Sequence, residues 1–329
     1  KAAKTYQLNN GEMKEIETGG RKALLIKNFD TYFALSPKCN HYGAPLEDGV
    51  LSGERVVCPW HHAAFNIKNG KMLEPPAIDN IHSFEVIVEG DDIYINFPEE
   101  EGDFRPPEMH IPDEPRADKM FVILGAGAAG NIAAQTLRTE GFDGRIHMIT
   151  QEEKLPYDRP NLSKEYLQGK APESWMPLRS KQFFERNKIN LIQGKKVVKI
   201  KTEGNQIFFD DESWITYHRL LICPGAVPVK LRLKGEDLEN IFYLRSYNDS
   251  DRIINSLNNV KNAVVIGAGF IAMETATSLG DLGIKVDVAA PEKLPFAKKL
   301  GKEIGEMLKK EHERKGVKFH MESKPVSFL

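Results

Sequence analysis

Short alternations of apolar and polar residues run through the first hundred positions. Apolar-alternating runs occur at 23–26, 32–35, 56–57, 84–88 and 93–97, and clusters of Gly, Asn, Asp and Pro separate them. Runs of this kind, bounded by turn residues, are typical of β-strands. The pattern therefore predicts a small all-β domain over residues 1–98.

A different pattern begins at Met120. A continuous apolar run at 120–124 is followed by a Gly-rich turn and an Ala-rich stretch at 131–139. This order predicts a buried strand, a tight turn and a helix. The run at 263–266, with a second Gly-rich turn, repeats the pattern. The repeat predicts α/β Rossmann-type domains after the all-β domain.

Two further segments have clear patterns. Residues 99–118 combine prolines with many charged side chains, which predicts an extended linker. A helix is predicted at 299–315. Its apolar positions fall on one stripe, which we expect to pack against a sheet. These positions are Leu300, Ile304, Met307 and Leu308.

Charge and composition narrow the classes of partner. The 329 residues include 45 Lys and Arg against 47 Asp and Glu, a formal net charge of −2. We therefore expect no nucleic-acid partner. No apolar run approaches the ~18 residues that a membrane span needs, so we also expect no membrane-spanning segment. Three cysteines fit a reducing compartment better than secretion, which predicts an intracellular, cytoplasmic protein with a mitochondrial one as the alternative. Because the chain begins with Lys1 rather than Met, we expect a trimmed N-terminus.

Two brackets of Cys and His give the strongest chemical signal. Cys39-Asn40-His41 is followed, after a short interval, by Cys58-Pro59-Trp60-His61. Two Cys and two His can close around a metal ion, and zinc is one alternative. Brackets of this form on hairpin loops resemble the Rieske iron–sulfur family, in which two Cys hold one iron of a [2Fe–2S] cluster and two His hold the other. The resemblance implies that Cys39, His41, Cys58 and His61 are the cluster ligands.

The residues around the second bracket refine this expectation. His62 stands where the Rieske family usually has Gly, and the spacing makes His61 the ligand and His62 a bystander. Ala63 and Phe65 occupy positions where high-potential members have Ser and Tyr hydroxyls that donate to the cluster sulfurs. Such bonds raise the potential, so their absence predicts the low end of the Rieske range, near or below about −100 mV. Pro75-Pro76 matches the family's proline loop over the cluster.

The first Gly-rich turn reads Gly125-Ala126-Gly127-Ala128-Ala129-Gly130. After a strand and before a helix, its glycines allow a tight turn and close approach of a pyrophosphate to the helix N-terminus. About twenty residues later, a second strand ends and Glu152 follows. An acid at that position accepts hydrogen bonds from a ribose hydroxyl. This pattern predicts a dinucleotide site.

The next segment, 155–164, reads LPYDRPNLSK and resembles the signature of flavin-dependent ferredoxin reductases and apoptosis-inducing-factor-like oxidoreductases. The resemblance implies FAD in the first site, with Arg159 at the pyrophosphate and Lys164 near the flavin N5 edge. It places Val197 at the adenine end and Gly225 in a strand-end segment beside FAD. Cys223, in the same segment, is interpreted as a buried structural thiol.

The second Gly-rich turn contains Gly267 and Gly269, and Glu274 follows five residues after Gly269. In the resembled family this turn binds NAD(P)H, and the acid at the Glu274 position lies near the nicotinamide and the flavin-side lysine. Lys164 and Glu274 are therefore the predicted catalytic residues. The ribose-reading acid should end the next strand, where this sequence has Ala290 with Glu292 two residues on. Both NAD and NADP stay open as the coenzyme.

The order of motifs resembles Rieske-containing, apoptosis-inducing-factor-like oxidoreductases of the ferredoxin-reductase type. The resemblance implies an FAD-binding domain at 119–245 and an NAD(P)-binding domain at 246–329 that is truncated. It predicts an enzyme that passes electrons from NAD(P)H through FAD to the cluster and on to a redox protein or a small-molecule acceptor. The alternative is a Rieske electron carrier, or a regulatory protein, with an inactive flavoprotein half.

Overall fold

The chain forms two compact units, Lys1–His110 and Ile111–Leu329, in a computed structural model that describes residues 1–99 and 105–329. Each unit matches one of the two patterns in the sequence, all-β first and α/β second. Among the described residues, none of the helices has both the length and the apolar character that a membrane crossing requires.

Short antiparallel strands build the first unit, as the alternating pattern predicts. Those in its described part are β1 (Ala3–Lys4), β2 (Glu12–Thr18), β3 (Arg21–Asn28), β4 (Thr31–Leu35), β5 (Val50–Ser52), β6 (Arg55–Val57), β7 (Ala64–Asn66), β8 (Met72–Glu74), β9 (Ser83–Glu89) and β10 (Asp92–Asn96). They form a six-stranded sheet in the order β1-β10-β9-β4-β3-β2 and a four-stranded sheet in the order β5-β6-β7-β8.

Strand β3 is central to the packing of this unit. Its side chains are buried on both faces of the sheet, in agreement with its continuous run of apolar residues. Leu24 and Ile26 pack into a cluster that also contains Cys39 and Cys58, whereas Leu25 packs on the opposite face. The largest core cluster of the unit therefore lies directly beneath the predicted cluster ligands.

Parallel strands alternate with helices in the second unit. Its elements are β11 (Arg116–Leu124), α1 (Ala128–Thr139), β12 (Gly144–Ile149), α2 (Lys181–Arg186), β13 (Ile189–Ile192), β14 (Val197–Lys201), β15 (Gln206–Phe209), β16 (Trp214–Thr216), β17 (Arg219–Ile222), α3 (Tyr247–Ser256), β18 (Asn262–Ile266), α4 (Phe270–Asp281), β19 (Lys285–Ala290), α5 (Ala297–Leu300), α6 (Lys302–Arg314) and β20 (Lys318–Met321).

Two parallel sheets carry the repeated strand–turn–helix unit. The first has the strand order β13-β12-β11-β17 and the second has the order β18-β19-β20. The antiparallel sheet β14-β15-β16, which the sequence patterns did not predict, packs through Ile207 and Phe209 on the first sheet. The carboxyl ends of β11 and β18 lead into the Gly-rich turns, so both predicted nucleotide sites lie at strand ends, where α/β folds bind ligands. The predicted fold class is confirmed.

The predicted linker agrees with the structure only in its middle. Residues 106–115 have no helix or strand, but β11 begins at Arg116, within the predicted segment. Residues 100–104 of that segment lie outside the described residues. The boundary between the two nucleotide-binding domains at 245–246 stays a prediction.

The predicted helix at 299–315 was wrong in its bounds and in its packing. Gly301, with a φ of +86°, separates α5 from α6. Leu300, Ile304 and Met307 are exposed. The reason is Gly305, where a Cβ would lie 2.6 Å from the Pro295 carbonyl. Because α6 approaches its neighbour through this glycine, most of the apolar stripe faces away from the core.

Candidate functional site

The two brackets of Cys and His lie on two loops with the same backbone turn. In each loop the cysteine N–H donates to the residue five positions on, and the residue four positions on donates back to the cysteine carbonyl. These bonds are Cys39 N to Ala44 O (2.9 Å), Gly43 N to Cys39 O (2.8 Å), Cys58 N to Ala63 O (2.8 Å) and His62 N to Cys58 O (3.2 Å). The two loops therefore share one backbone turn, in which the histidine follows the cysteine by two positions in the first loop and by three in the second.

His62 takes the backbone conformation that glycine takes in the first loop. The φ angle is +76° at Gly43 and +64° at His62, both in the left-handed region that favours glycine. A side chain there costs conformational energy but does not alter the turn. The side chain of His62 is thus tolerated, and the second loop keeps the shape of the first.

The thiols and the imidazoles of the two loops form separate pairs. Cys39 and Cys58 are each 1% exposed and belong to the same buried cluster. The Nδ1 atoms of His41 and His61 lie 3.2 Å apart, and His61 is exposed. The two imidazoles therefore face each other through their Nδ1 atoms, and His61 is open to solvent whereas both thiols are buried.

This pairing fits a cluster of two irons better than a single zinc ion. In the described part of the chain, no group of three or more His, Cys, Asp and Glu side chains is placed to hold a single metal ion. A Rieske cluster needs two ligands on each iron, which is the division between thiols and imidazoles seen here. Burial raises the pKa of the Cys39 thiol to about 12, so a bound cation is what would ionise it.

Ala63 and Phe65 are fully buried in the cluster that contains both cysteines. We expect Phe65→Tyr to raise the midpoint potential of the iron–sulfur cluster by on the order of tens of millivolts, because a hydroxyl bond to sulfur stabilises the reduced form. Redox titration followed by EPR measures the shift. Phe97→Tyr, in a different core cluster, is the control. Equal potentials for the two variants would contradict the prediction.

The first Gly-rich turn has the close packing that its glycines predict. Gly125 has a φ of +111°, and a Cβ there would overlap the Cys223 carbonyl. A Cβ on Gly130 would overlap the Gly125 carbonyl, whereas one on Gly127 would meet nothing within 4 Å. Gly127 is the N-cap of α1. The turn is therefore closed on its protein side and open at the helix N-terminus, where a diphosphate binds.

Glu152 and Arg159, predicted to serve different parts of FAD, are neighbours. Arg159 Nη2 donates to Glu152 Oε1 at 2.5 Å, and Tyr157 Oη donates to Glu152 Oε2 at 2.5 Å. Arg159 Nη1 in turn donates to Tyr157 Oη at 2.6 Å. Burial, together with the bond to Glu152, raises the pKa of Tyr157. The Tyr157 phenol therefore stays protonated, and its hydrogen bonds hold Glu152 and Arg159 in fixed positions.

Arg245 is a cation of this region that the sequence patterns did not single out. Its Nε donates to Ala226 O at 2.9 Å, and its Nη2 would lie 3.0 Å from a Cβ on Gly225. Its carbonyl accepts a bond from Arg159 Nη1 at 3.1 Å. The only local signal was its position just before Ser246, the N-cap of α3. Arg159 thus contacts the backbone of Arg245, whose own guanidinium lies beside Gly225 and Ala226.

The remaining residues of the first site have mainly packing roles in the structure. Val197 begins β14, and its half-buried side chain packs in a cluster with Ile149 and Ile207. Cys223 is half-buried rather than buried, and its thiol donates to Gly125 O at 3.4 Å. Burial raises the pKa of this thiol, so it stays neutral.

The second Gly-rich turn repeats the first with one difference. Gly267 has a φ of +113°, and Gly269 is the N-cap of α4. Ala290 ends β19 and is buried, so it offers no acid at the strand end. Glu292 lies 3.2 Å from Lys298, and a backbone N–H together with this lysine lowers its pKa. Glu292 is therefore ionised at neutral pH and is already paired.

Lys164 and Glu274 come together from the two regions that carry the turns. Lys164 Nζ lies 3.5 Å from Glu274 Oε1, and each side chain is about one third exposed. Lys164 follows the 3₁₀ turn Arg159–Ser163, whereas Glu274 lies on α4. The structure thus places the two predicted catalytic residues next to each other and within reach of solvent.

Family models agree with both units of the chain. The model for pyridine nucleotide-disulphide oxidoreductases matches residues 119–328, and the model for the Rieske [2Fe–2S] domain matches residues 1–85. The chain belongs to the pyridine nucleotide-disulphide oxidoreductase family. A Rieske domain precedes its oxidoreductase domain. The cofactors of these two families are a [2Fe–2S] cluster, FAD and NAD(P)H, and the donor set and the open Gly-rich turns described above fit them.

Individual relatives of this oxidoreductase agree with that assignment. The chain is similar to apoptosis-inducing factor 3 of Homo sapiens, with 39% identity over 322 residues, 96% of this chain and 53% of that protein. It is 34% identical to rhodocoxin reductase of Rhodococcus erythropolis over 60% of this chain and 46% of that protein. The structure of a ferredoxin reductase from Rhodopseudomonas palustris matches with a TM-score of 0.62 and 31% identity, over 64% of this chain and 52% of that one. The chain thus spans about half the length of these relatives.

Proposed function

We propose that this chain passes electrons from NAD(P)H through FAD to the Rieske cluster and on to an acceptor outside the chain. The ion pair between Lys164 and Glu274 carries the proposal, because it joins the region expected to bind FAD to the region expected to bind NAD(P)H. Bound FAD would accept the two electrons of a hydride together and release them singly to a one-electron cluster.

The proposed FAD site uses the first turn and the cations beside it. The open N-terminus of α1 at Gly127 would take the diphosphate, with Arg159 and Arg245 to neutralise its charge. Glu152 would accept from the adenosine ribose. Four further residues are proposed to line the edges of the FAD pocket. They are Gly125, Gly130, Val197 and Gly225.

The proposed nicotinamide site uses Gly267 and Gly269 at the N-terminus of α4. Glu274, one turn into that helix, would place its carboxylate beside the nicotinamide, and Lys164 would hold the flavin edge. Both side chains are partly exposed, so a coenzyme can reach them. Kinetics with NADH and with NADPH would decide the coenzyme, because the strand ends at Ala290 rather than at an acid, and Glu292, two residues on, is paired with Lys298.

The proposed Rieske site uses Cys39 and Cys58 for the inner iron and His41 and His61 for the outer one. The two cysteines lie in one buried hydrophobic cluster, and the two histidines lie next to each other. We place the chain in a reducing, cytoplasmic compartment, with the mitochondrion as the alternative, since three cysteines are too few for a disulfide scaffold. The acceptor is a redox protein or a small molecule that meets the exposed imidazole of His61.

An anaerobic visible spectrum of the purified chain, loaded with iron, sulfide and FAD, tests the proposal. We expect NADH or NADPH to bleach both the flavin band and the cluster band. The Cys39→Ser variant is the control, because its flavin should still bleach while the cluster band is absent. The proposal would be contradicted by a wild-type cluster band that dithionite bleaches but that neither NADH nor NADPH bleaches. That result would favour a Rieske electron carrier with an inactive flavoprotein half.

A further inference from the structure

Ser163 is a buried serine that contacts α4 at two points. It ends the 3₁₀ turn Arg159–Ser163 and is 4% exposed. Its Oγ donates to Glu274 Oε2 at 2.6 Å, and its carbonyl accepts from Ser278 Oγ at 2.7 Å. Glu274 and Ser278 are four residues apart and so lie on one face of the helix. One residue is therefore held by two successive turns of α4.

The hydroxyl of Ser163 has a single proton and two acceptors within reach. Glu274 Oε2 is at 2.6 Å and the Pro160 carbonyl is at 3.2 Å. A bond to a carboxylate is shorter and stronger than one to a neutral carbonyl. The proton therefore goes to Glu274, and this oxygen is fixed. The other carboxylate oxygen, Oε1, is then the one directed at Lys164.

Ser278 is itself oriented by a third residue. Gln168 Nε2 donates to Ser278 Oγ at 3.1 Å, and Ser278 is 1% exposed. The Ser278 hydroxyl thus receives one bond and gives another, so its proton points at the Ser163 carbonyl. A chain of hydrogen bonds runs from Gln168 through Ser278 to Ser163, and the Ser163 side chain extends it to Glu274.

We propose that Ser163 is a positioning residue that, held by Ser278, sets the orientation of Glu274 relative to Lys164. The orientation itself is independent of the proposed function, whereas its kinetic consequence rests on that function. Ser163 touches neither coenzyme in this scheme. It acts by holding the Glu274 carboxylate in a fixed position relative to Lys164.

A double-mutant cycle tests the contact in the full chain. We expect Ser163→Ala to raise the unfolding equilibrium constant about tenfold when Glu274 is present but only about twofold in a Glu274→Gln background. Ser250→Ala is the matched control. Ser250 is also a buried serine, and it donates to the carbonyl of Leu162, next to Ser163. Its substitution should cost the same in both backgrounds. Equal costs for Ser163→Ala in both backgrounds would overturn the proposal.

Stopped-flow reduction of the bound flavin measures the functional consequence. We expect Ser163→Ala to slow hydride transfer about tenfold while the apparent Kd for the coenzyme changes less than about twofold. Ser163→Thr, which keeps the hydroxyl, should restore most of the rate. A Ser163→Ala variant that reacts like Ser250→Ala would overturn the positioning role. If the wild type is not reduced at all, the proposed function fails, and the double-mutant cycle still decides the contact.

Discussion

Replacement of His61 by alanine is expected to abolish the iron–sulfur cluster, whereas replacement of its neighbour His62 by glycine is expected to leave it intact. The Nδ1 atoms of His41 and His61 lie 3.2 Å apart, and in the proposed site both rings hold the same iron, so losing His61 would remove half of the protein ligands of that iron. His62 has only a backbone role in the turn, with its φ of +64°, and glycine adopts that conformation without strain.

Iron and sulfide content, together with the EPR spectrum of the dithionite-reduced protein, measures this difference. The two variants alter adjacent histidines of one loop, so a general loss of loop structure would affect both. We expect no Rieske signal from His61→Ala and a full signal from His62→Gly. A cluster that survives in the former and is lost in the latter would reverse the ligand assignment.

Substitution of Arg138 by methionine is expected to lower the free energy of unfolding by about 3 kcal/mol or more. Arg138 lies in the last turn of α1 and is 0% exposed. Burial lowers its pKa, but the guanidinium is the donor for several backbone carbonyls. Its bonds go to Asn187 O (2.8 Å), Phe142 O (2.6 Å), Gly144 O (3.1 Å) and Lys188 O (2.8 Å).

Methionine fills much of the same volume but donates nothing, so all four carbonyls lose this donor, those of Asn187 and Gly144 in buried surroundings. Each buried carbonyl without a donor costs about 1–3 kcal/mol of stability. Removing the buried charge of Arg138 recovers only part of that cost. Urea unfolding of the full chain in a Trp60→Phe background, followed by fluorescence of Trp175 and Trp214, reports on the second unit alone. Arg138→Lys should be intermediate, because an ammonium cannot span all four carbonyls. A loss below about 1 kcal/mol for methionine would contradict this account.

The features that the sequence predicts well are those encoded locally. The Gly-rich turns follow from glycines at fixed spacing, and the structure shows why: a Cβ on Gly125 or Gly130 would overlap a backbone carbonyl. The pairing of His41 with His61 follows in the same way from two similar brackets on two hairpin loops. In the first case the residues that specify the feature lie within six positions, and in the second the two histidines are 20 positions apart.

Features that depend on distant contacts were missed or misassigned. Whether the apolar stripe of α6 is buried depends on what lies beside Gly305, which periodicity does not encode. The roles of Arg245 and Ser163 depend on partners far away in the chain, with Ser163 and Glu274 separated by 111 positions. The resemblance to ferredoxin reductases predicted that Lys164 and Glu274 would be near each other, but periodicity alone gave no reason to pair them.

The site in the Rieske domain is closed to solvent at its thiols and open to solvent at an imidazole. Cys39 and Cys58 are cut off from water, whereas His61 meets it. In the proposed function, an electron crossing between this domain and another molecule would therefore take its shortest route through an imidazole ring. Such a crossing requires only brief contact over a small area of surface. Speed of encounter, rather than tightness of binding, is then the property that this end of the domain favours.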